Sequence, residues 1–277
     1  MSTIDQYAVF GSPIKHSKSP RIHSLFAQQT QQQLSYQAQQ VSAESFDTAI
    51  TDFFKQGGKG LNCTVPLKEL AWKRADTLST RAQFSKAVNT LVLQANGTLF
   101  GDNTDGIGLV TDLTINHGIP LKNKRILILG AGGASRGIIE PIMAEKPNHI
   151  VIANRTVEKA ITLSHEFAQL GNIKGCGFSD LKDQQFELIL NATSASLTGE
   201  LPPLTDTLLA ENGCCYDLAY SNQATPFVLW GQAHAASKSL DGLGMLVEQA
   251  AEAFYIWRGV RPKTSDIIEL LNSERGD

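Results

Sequence analysis

The chain has 277 residues, 42% of them hydrophobic and 18% charged, with a formal net charge of −3. That length suits one large or two ordinary domains with normal cores, and the near-neutral balance without a long basic run argues against nucleic acid or an anionic membrane as the main partner. No stretch of about 18 apolar residues is present to span a bilayer, and Met1-Ser2-Thr3-Ile4-Asp5 lacks the layout of a secretory leader, so the chain is expected in the cytoplasm.

Tyr7-Ala8-Val9-Phe10-Gly11 reads as a short buried strand stopped by Ser12 and Pro13. The helical pattern after it, through Ile22, Leu25 and Phe26, opens at Ser19-Pro20, an N-cap with proline at N1. That leaves Ser17 unexplained. In an extended segment residues two apart point the same way, so Ser17 and Ser19 can offer two hydroxyls to one polar ligand at the carboxyl end of the first strand. A glutamine-rich piece, 28–40, reads as a helix end and loop around the strand-like 34–41, and Phe46, Ile50, Phe53 and Phe54 space a short amphipathic helix.

Lys59-Gly60-Leu61-Asn62-Cys63-Thr64 is a further strand, running into Val65-Pro66-Leu67-Lys68-Glu69, where the proline opens a helix and Lys68 falls in its first turn. A helix N-terminus disfavours a cation, so this lysine is either an ordinary surface residue paired with a carboxylate such as Glu69 or one with a chemical task. In 87–93 the polar Asn89 and Thr90 interrupt a strand, and a buried amide there must bond core backbone or a ligand. Gly101-Asp102-Asn103-Thr104-Asp105-Gly106 then opens a helix through Leu109, Val110 and Leu113; one of Asp102, Asn103 and Asp105 caps it, which leaves a carboxylate over.

The strongest local signal is Arg125-Ile126-Leu127-Ile128-Leu129-Gly130-Ala131-Gly132-Gly133-Ala134-Ser135, followed by Ile138, Ile139, Ile142 and Met143 at helical spacing. It reads as strand, tight turn and helix, the first unit of a dinucleotide-binding domain. Gly130 makes the turn, Gly132 lets backbone approach a pyrophosphate, and a helix beginning near Gly133 supplies free N–H groups. Ser135 stands where the third glycine of the usual motif would be. The second strand, from His149, ends at Asn154-Arg155-Thr156, about 24 residues beyond Gly130, where such domains read the ribose. A carboxylate there would accept from a 2′-hydroxyl; an arginine among amide and hydroxyl donors suits a 2′-phosphate, hence NADP. The plain alternative is a solvated loop with Thr156 capping the helix that carries Glu158 and Lys159, although cap and phosphate site can coexist.

Third and fourth strands are signalled at 186–190, ending in Asn191-Ala192-Thr193-Ser194, and at 214–216, ending in Asp217-Leu218-Ala219-Tyr220. After Ser239-Leu240-Asp241-Gly242-Leu243-Gly244-Met245 a helix places Leu243, Leu246, Val247, Ala250, Phe254 and Trp257 on one face with Gln249 on its flank, as suits the edge of a cleft. Cys63, Cys176, Cys214 and Cys215 form no CxxC pair and read as small core residues, with no metal expected. The whole is an α/β chain of two domains, 1–101 with 240–277 and 102–239, the crossing near Gly101 made by a helix.

These motifs in this order, from Ser17-Lys18-Ser19-Pro20 through Asn62-Cys63-Thr64-Val65-Pro66-Leu67-Lys68, Ala87-Val88-Asn89-Thr90 and the glycine loop to Gly242-Leu243-Gly244-Met245 with Gln249, resemble the shikimate dehydrogenase family nearly end to end. The resemblance implies NADPH-dependent reduction of 3-dehydroshikimate to shikimate, on the way to chorismate and the aromatic amino acids, by a substrate domain joined to a Rossmann-type NADP domain. It implies Lys68 as catalytic acid/base with Asp105 beside it, and Ser17, Ser19, Thr64, Asn89, Tyr220 and Gln249 around the substrate. The dinucleotide would lie on Gly130, Ala131, Gly132, Gly133, Ala134, Asn154, Arg155, Thr156, Val157, Glu158 and Lys159, with backbone near Leu218 and Gly242 close to the nicotinamide. The expected assembly is a monomer or homodimer. Leu218 stands where many members have Met, and Thr80 where some have a Glu linked to the cofactor, so Thr80 is left out of the site. Two rivals remain: a quinate/shikimate dehydrogenase, and a non-catalytic NADP sensor that would have no need of Lys68 with Asp105.

Overall fold

The computed structural model describes residues 4–275, so Met1, Ser2 and Thr3 of the stretch read for a leader, and Gly276 and Asp277 of the 240–277 segment, lie outside it. Contacts divide the chain into two units, 1–108 with 247–269 and 109–246 with 270–277.

In the first unit the elements follow as β1 (Asp5–Gly11), α1 (Ser19–Gln29), β2 (Leu34–Gln40), α2 (Phe46–Lys55), β3 (Gly58–Cys63), α3 (Lys68–Arg74), β4 (Thr77–Leu78), α4 (Thr80–Ser85), β5 (Thr90–Leu93), β6 (Leu99–Asp102) and α5 (Asp105–Thr111). The sheet order is β2-β1-β3-β5-β6-β4, parallel among the first three and antiparallel at β3–β5 and β5–β6. Both faces of β1 are covered: Ala8 and Phe10 join the core of Phe46, Ile50, Leu61 and Leu91, while Tyr7 and Val9 pack with Tyr36. That is why its residues read as a continuous apolar run instead of an alternation.

Four local expectations are corrected here. Helix α1 starts at Ser19, with Lys18 at the cap position in helical conformation and no side chain capping it, so Ser19 is not the N-cap. Nor is 17–19 extended: Ser17 closes a turn onto Ile14 (N–O 3.0 Å), and its hydroxyl accepts from the Ser19 N–H at 3.3 Å. Pro66 does not open α3 but lies in the turn before it, where the Leu67 N–H reaches the Thr64 carbonyl at 2.8 Å; Lys68 remains the first residue of the helix. Strand β5 begins at Thr90, just after Asn89, whose N–H still bonds the Asp102 carbonyl and whose main-chain carbonyl accepts from the Cys63 N–H.

The second unit holds β7 (Arg125–Leu129), α6 (Gly133–Ala144), β8 (His149–Ala153), α7 (Val157–Phe167), β9 (Ile173–Cys176), β10 (Phe186–Asn191), β11 (Leu209–Asp217), α8 (Pro226–Ala233) and β12 (Lys238–Leu240). Helix α5, helix α9 (Leu243–Arg258) and helix α10 (Ser265–Ser273) are each shared between the units, α5 passing from one to the other after Gly108. All six strands are parallel in the order β12-β11-β10-β7-β8-β9, the doubly wound arrangement whose strand order reverses between β7 and β10. Strands β9 and β12 were not among the sequence signals. All four cysteines are free and buried. Among the described residues no helix is long and apolar enough to cross a membrane.

Candidate active site

In the first unit, Lys68 at the start of α3 and Asp105 at the start of α5 meet with Nζ 2.5 Å from Oδ2. Each reason for the meeting is local. The turn after β3 sets Lys68 at a helix N-terminus, where only a carboxylate offsets the unfavourable dipole, and Asp105 sits at another helix N-terminus, where the dipole favours an anion. The cap of α5 is neither aspartate: Asn103 Oδ1 accepts from the Asp105 N–H at 3.1 Å. Asp102 is buried and engaged elsewhere, bidentate with Arg81 (2.8 and 2.7 Å) and bonded by Ser79. The carboxylate left over is therefore Asp105.

Its second oxygen is fixed as well. Asn89, 3% exposed, shares the two hydrogens of its Nδ2 among Asp105 Oδ1 at 2.8 Å, Thr104 Oγ1 at 3.0 Å and Gln249 Oε1 at 3.3 Å, while its side-chain Oδ1 accepts from the Thr104 N–H and the Thr90 hydroxyl at 2.9 Å. Gln249 is half-buried on α9, on the flank where the helical wheel puts it. A buried chain of polar groups runs on from Asn89: Asn62 Nδ2 donates to the main-chain carbonyl of Asn89 at 2.9 Å, and the Tyr36 hydroxyl donates to Asn62 Oδ1 at 2.6 Å and also bonds the Ser19 side chain. Behind Tyr36 lies His23, fully enclosed, its ring stacked at 4.1 Å and 7°, with neither nitrogen bonded. Lys68, Asp105, Asn89 and Gln249 are thus in direct contact, Ser19 is linked to them through two residues, and Ser17 is tied to Ser19. Thr64 is half-buried in the turn ahead of α3. Tyr36 and Asn62 were not singled out from sequence, and Asn103 only as one of three candidate caps; a lone Asn inside strand β3 was the available signal for Asn62.

In the second unit, Gly130 ends β7 with φ +100, and a Cβ there would press within 3.1–3.3 Å of Thr193 Cγ2 and the Ala192 backbone at the end of β10. The turn needs glycine for conformation and for space. Ser135 is not a loss of the motif, because its buried hydroxyl donates to the Gly130 carbonyl at 2.7 Å and closes the turn. Helix α6 starts at Gly133 with Gly132 at its cap; no side chain caps it, no acidic residue stands in its first turn, and a Cβ on Gly132 or Gly133 would meet nothing within 4 Å. Ala131 and Ala134 complete a backbone cradle open to an anion. At the end of β8, Asn154 Nδ2 bonds the Thr156 carbonyl at 2.8 Å, and Thr156 occupies the cap position of α7 without using its hydroxyl to cap it. Arg155 is exposed, and no ion pair holds it among the described residues. Val157, Glu158 and Lys159 form the first turn of α7. A dinucleotide with a 2′-phosphate fits this set: N–H donors without a capping side chain, an unpaired guanidinium and no acid at the strand tip.

At the ends of β10 and β11 the backbone is locked. The Leu218 N–H bonds the Asn191 carbonyl at 2.9 Å, the Gly242 N–H bonds the Ala219 carbonyl at 3.0 Å, and a Cβ on Gly242 would fall 2.2 Å from the Leu218 oxygen. Tyr220 is half-buried, and burial pushes its phenol above the usual range, with the Arg275 guanidinium pulling the other way.

A doubly wound sheet with an open phosphate cradle, in a chain that also pairs a lysine with a carboxylate among amides and hydroxyls, defines an NADP-dependent oxidoreductase acting on a CH–OH group. The chain belongs to the shikimate dehydrogenase family. The substrate-binding domain of shikimate dehydrogenase matches residues 9–91, shikimate/quinate 5-dehydrogenase residues 114–198, and the shikimate 5′-dehydrogenase C-terminal domain residues 242–271. Shikimate dehydrogenase (NADP(+)) of Methylococcus capsulatus is 59% identical over 99% of both chains. An Ael1 enzyme from Pseudomonas putida superposes with a TM-score of 0.91 at 46% identity, covering 96% of this chain and 98% of its own. Shikimate 5-dehydrogenase from Thermus thermophilus, solved with NADP(H) and shikimate, gives 0.85 at 32% identity, covering 96% and 97%.

Proposed function

We propose that this chain is a shikimate dehydrogenase that reversibly reduces 3-dehydroshikimate to shikimate with NADPH, in the cytoplasm, as a monomer or homodimer. The observation that carries the reading is the Lys68–Asp105 pair, half-open to solvent and braced by Asn89. Residues 1–101 with 240–277 form the substrate and catalytic domain in this reading, and 102–239 the NADP domain.

When bound, NADPH supplies the hydride. Gly130 to Ala134 would hold its pyrophosphate with backbone N–H groups, Asn154 to Lys159 would hold the 2′-phosphate end, chiefly through Arg155, and the main chain at Leu218 and Gly242 would serve the nicotinamide. Ser17, Ser19, Thr64, Asn89, Gln249 and Tyr220 bind the carboxylate and hydroxyls of the ring. As the carbonyl carbon of the substrate gains hydride, its oxygen becomes an alkoxide and takes a proton from Lys68 Nζ. Asp105 aims the ammonium and balances its charge, and Asn89 holds Asp105 still. Lys68 then regains a proton from water, to which its side chain is 27% exposed. The reverse direction runs with Lys68 as base.

The test is NADP reduction, followed at the nicotinamide absorbance band, with shikimate and quinate offered separately. Turnover with shikimate and little with quinate is expected; turnover with neither would overturn the reading, and equal turnover would make the chain a quinate/shikimate enzyme.

A further inference from the structure

Asp217, at the last position of β11, is fully buried, yet it pairs with no cation among the described residues. Its two oxygens are satisfied differently. Oδ1 accepts two N–H donors, Asn191 Nδ2 at 3.2 Å and the Ala219 backbone at 3.1 Å. Oδ2 accepts two hydroxyls, Ser196 at 2.5 Å and Thr225 at 2.6 Å. Those donors come from the end of β10, the loop after it, the segment leaving β11 and the cap of α8, so one carboxylate ties four pieces of backbone. Ala219, one of the four, holds the Gly242 N–H on its carbonyl, and Asn191 holds the Leu218 N–H.

We infer that Asp217 is a positioning residue that sets the Leu218 and Gly242 backbone for the nicotinamide half of NADP, an inference that rests on the reading given under Proposed function. Asp217 itself need not touch the cofactor. Burying a carboxylate among neutral donors is unfavourable unless each oxygen is fully bonded, and this one is. The bonding also dictates which substitution is tolerated. An amide at this position can turn its oxygen to the two N–H donors, which cannot reverse, and its NH2 to the two hydroxyls, which can rotate to accept. Alanine loses all four links.

The experiment measures, by calorimetry on the whole chain, the affinity for NADP and for adenosine 2′,5′-bisphosphate, which carries the 2′-phosphate but no nicotinamide. Asp217→Ala should weaken NADP binding by about tenfold while the bisphosphate is held within about twofold, and Asp217→Asn should restore NADP binding to within about threefold of the parent. An alanine chain that loses both ligands equally, or neither, overturns the inference, as does an asparagine chain no better than alanine. If Asp217→Ala loses its thermal transition, Ser196→Ala removes one donor only: NADP weakened about threefold with the bisphosphate unchanged supports the inference, and parental affinity for both overturns it. A parent chain that binds neither ligand would instead sink the NADP reading itself.

Discussion

Two cation–carboxylate pairs lie close together in the first unit, and they differ in how completely the protein satisfies them. Arg81 grips Asp102 with two nitrogens and reaches Glu252 at 2.9 Å, while Asp102 also takes the Ser79 hydroxyl and the Asn103 N–H, leaving its side chain 6% exposed. Lys68 meets Asp105 through one contact, and both side chains stay open, at 27% and 20%. Both oxygens of Asp102 are taken up within the protein, which marks this pair as one that serves the fold. The second keeps ammonium donors and lone pairs for another molecule, and that unused capacity is what separates a reactive pair from a structural one. Arg155 extends the series to a cation with no ion-pair partner among the described residues.

The sharpest way to break this contrast is Lys68→Ala. If Lys68 delivers the proton, the change deletes an interaction made mainly in the transition state, so turnover should fall by roughly 10²–10⁴ while NADP affinity and thermal stability stay near parental values. Asp105→Asn should also cost activity, and the double variant should be far less impaired than the product of the singles, because the two groups act as one unit. Turnover within about threefold of the parent in Lys68→Ala would send the proton to another donor. Arg81→Ala should show the opposite profile: it strands a buried carboxylate, and denaturant unfolding should report a loss of about 3 kcal/mol with little effect on KM in the folded protein. If stability were unchanged and turnover fell, the roles of the two pairs would have to be exchanged. Next in size, Arg155→Ala should raise KM for NADP about tenfold and leave KM for NAD nearly unchanged, since only NADP carries the 2′-phosphate. Smallest is Ser17→Ala, for which shikimate binding by calorimetry should weaken by about 1 kcal/mol; unchanged affinity would return Ser17 to the turn it closes with Ile14.

How much of this could be read beforehand followed physical rules. The β7–Gly130–α6 unit was legible because a strand period, a glycine cluster and a helix period occur within one stretch, and Lys68 stood out because a cation at a helix start conflicts with the dipole. Strand β9 was not legible: Ile173-Lys174-Gly175-Cys176 is short and interrupted by a glycine, which is there because a Cβ at 175 would fall 2.2 Å from the Ala160 backbone of α7. Strand β12 is only three residues, formed by pairing with β11 and not by its own pattern. The choice among Asp102, Asn103 and Asp105 as cap could not be made from spacing, because it is decided by Arg81, more than twenty positions away, claiming Asp102. The same holds for Tyr36 and Asn62, whose partners are distant in sequence and set only by the sheet.

His23 gives the first unit an acid threshold. Burial without a partner pulls its imidazole from 6.5 down to about 3, whereas in an unfolded chain it would take a proton near 6.5. Between those values the unfolded chain binds more protons than the folded one, so the stabilisation is complete above about pH 6.5 and drains away as the pH falls toward 3, by up to about 1.4 kcal/mol per pH unit. The proton would enter at the ring that backs Tyr36, so acid should loosen α1 and β2 first, and with them the Ser19 end of the polar chain that leads to Asp105. Acidification would then blunt recognition of the ring substrate while the parallel sheet of the other unit still holds its nucleotide, and hydrogen exchange compared at pH 7 and pH 5 should show protection lost in 19–40 before 125–153.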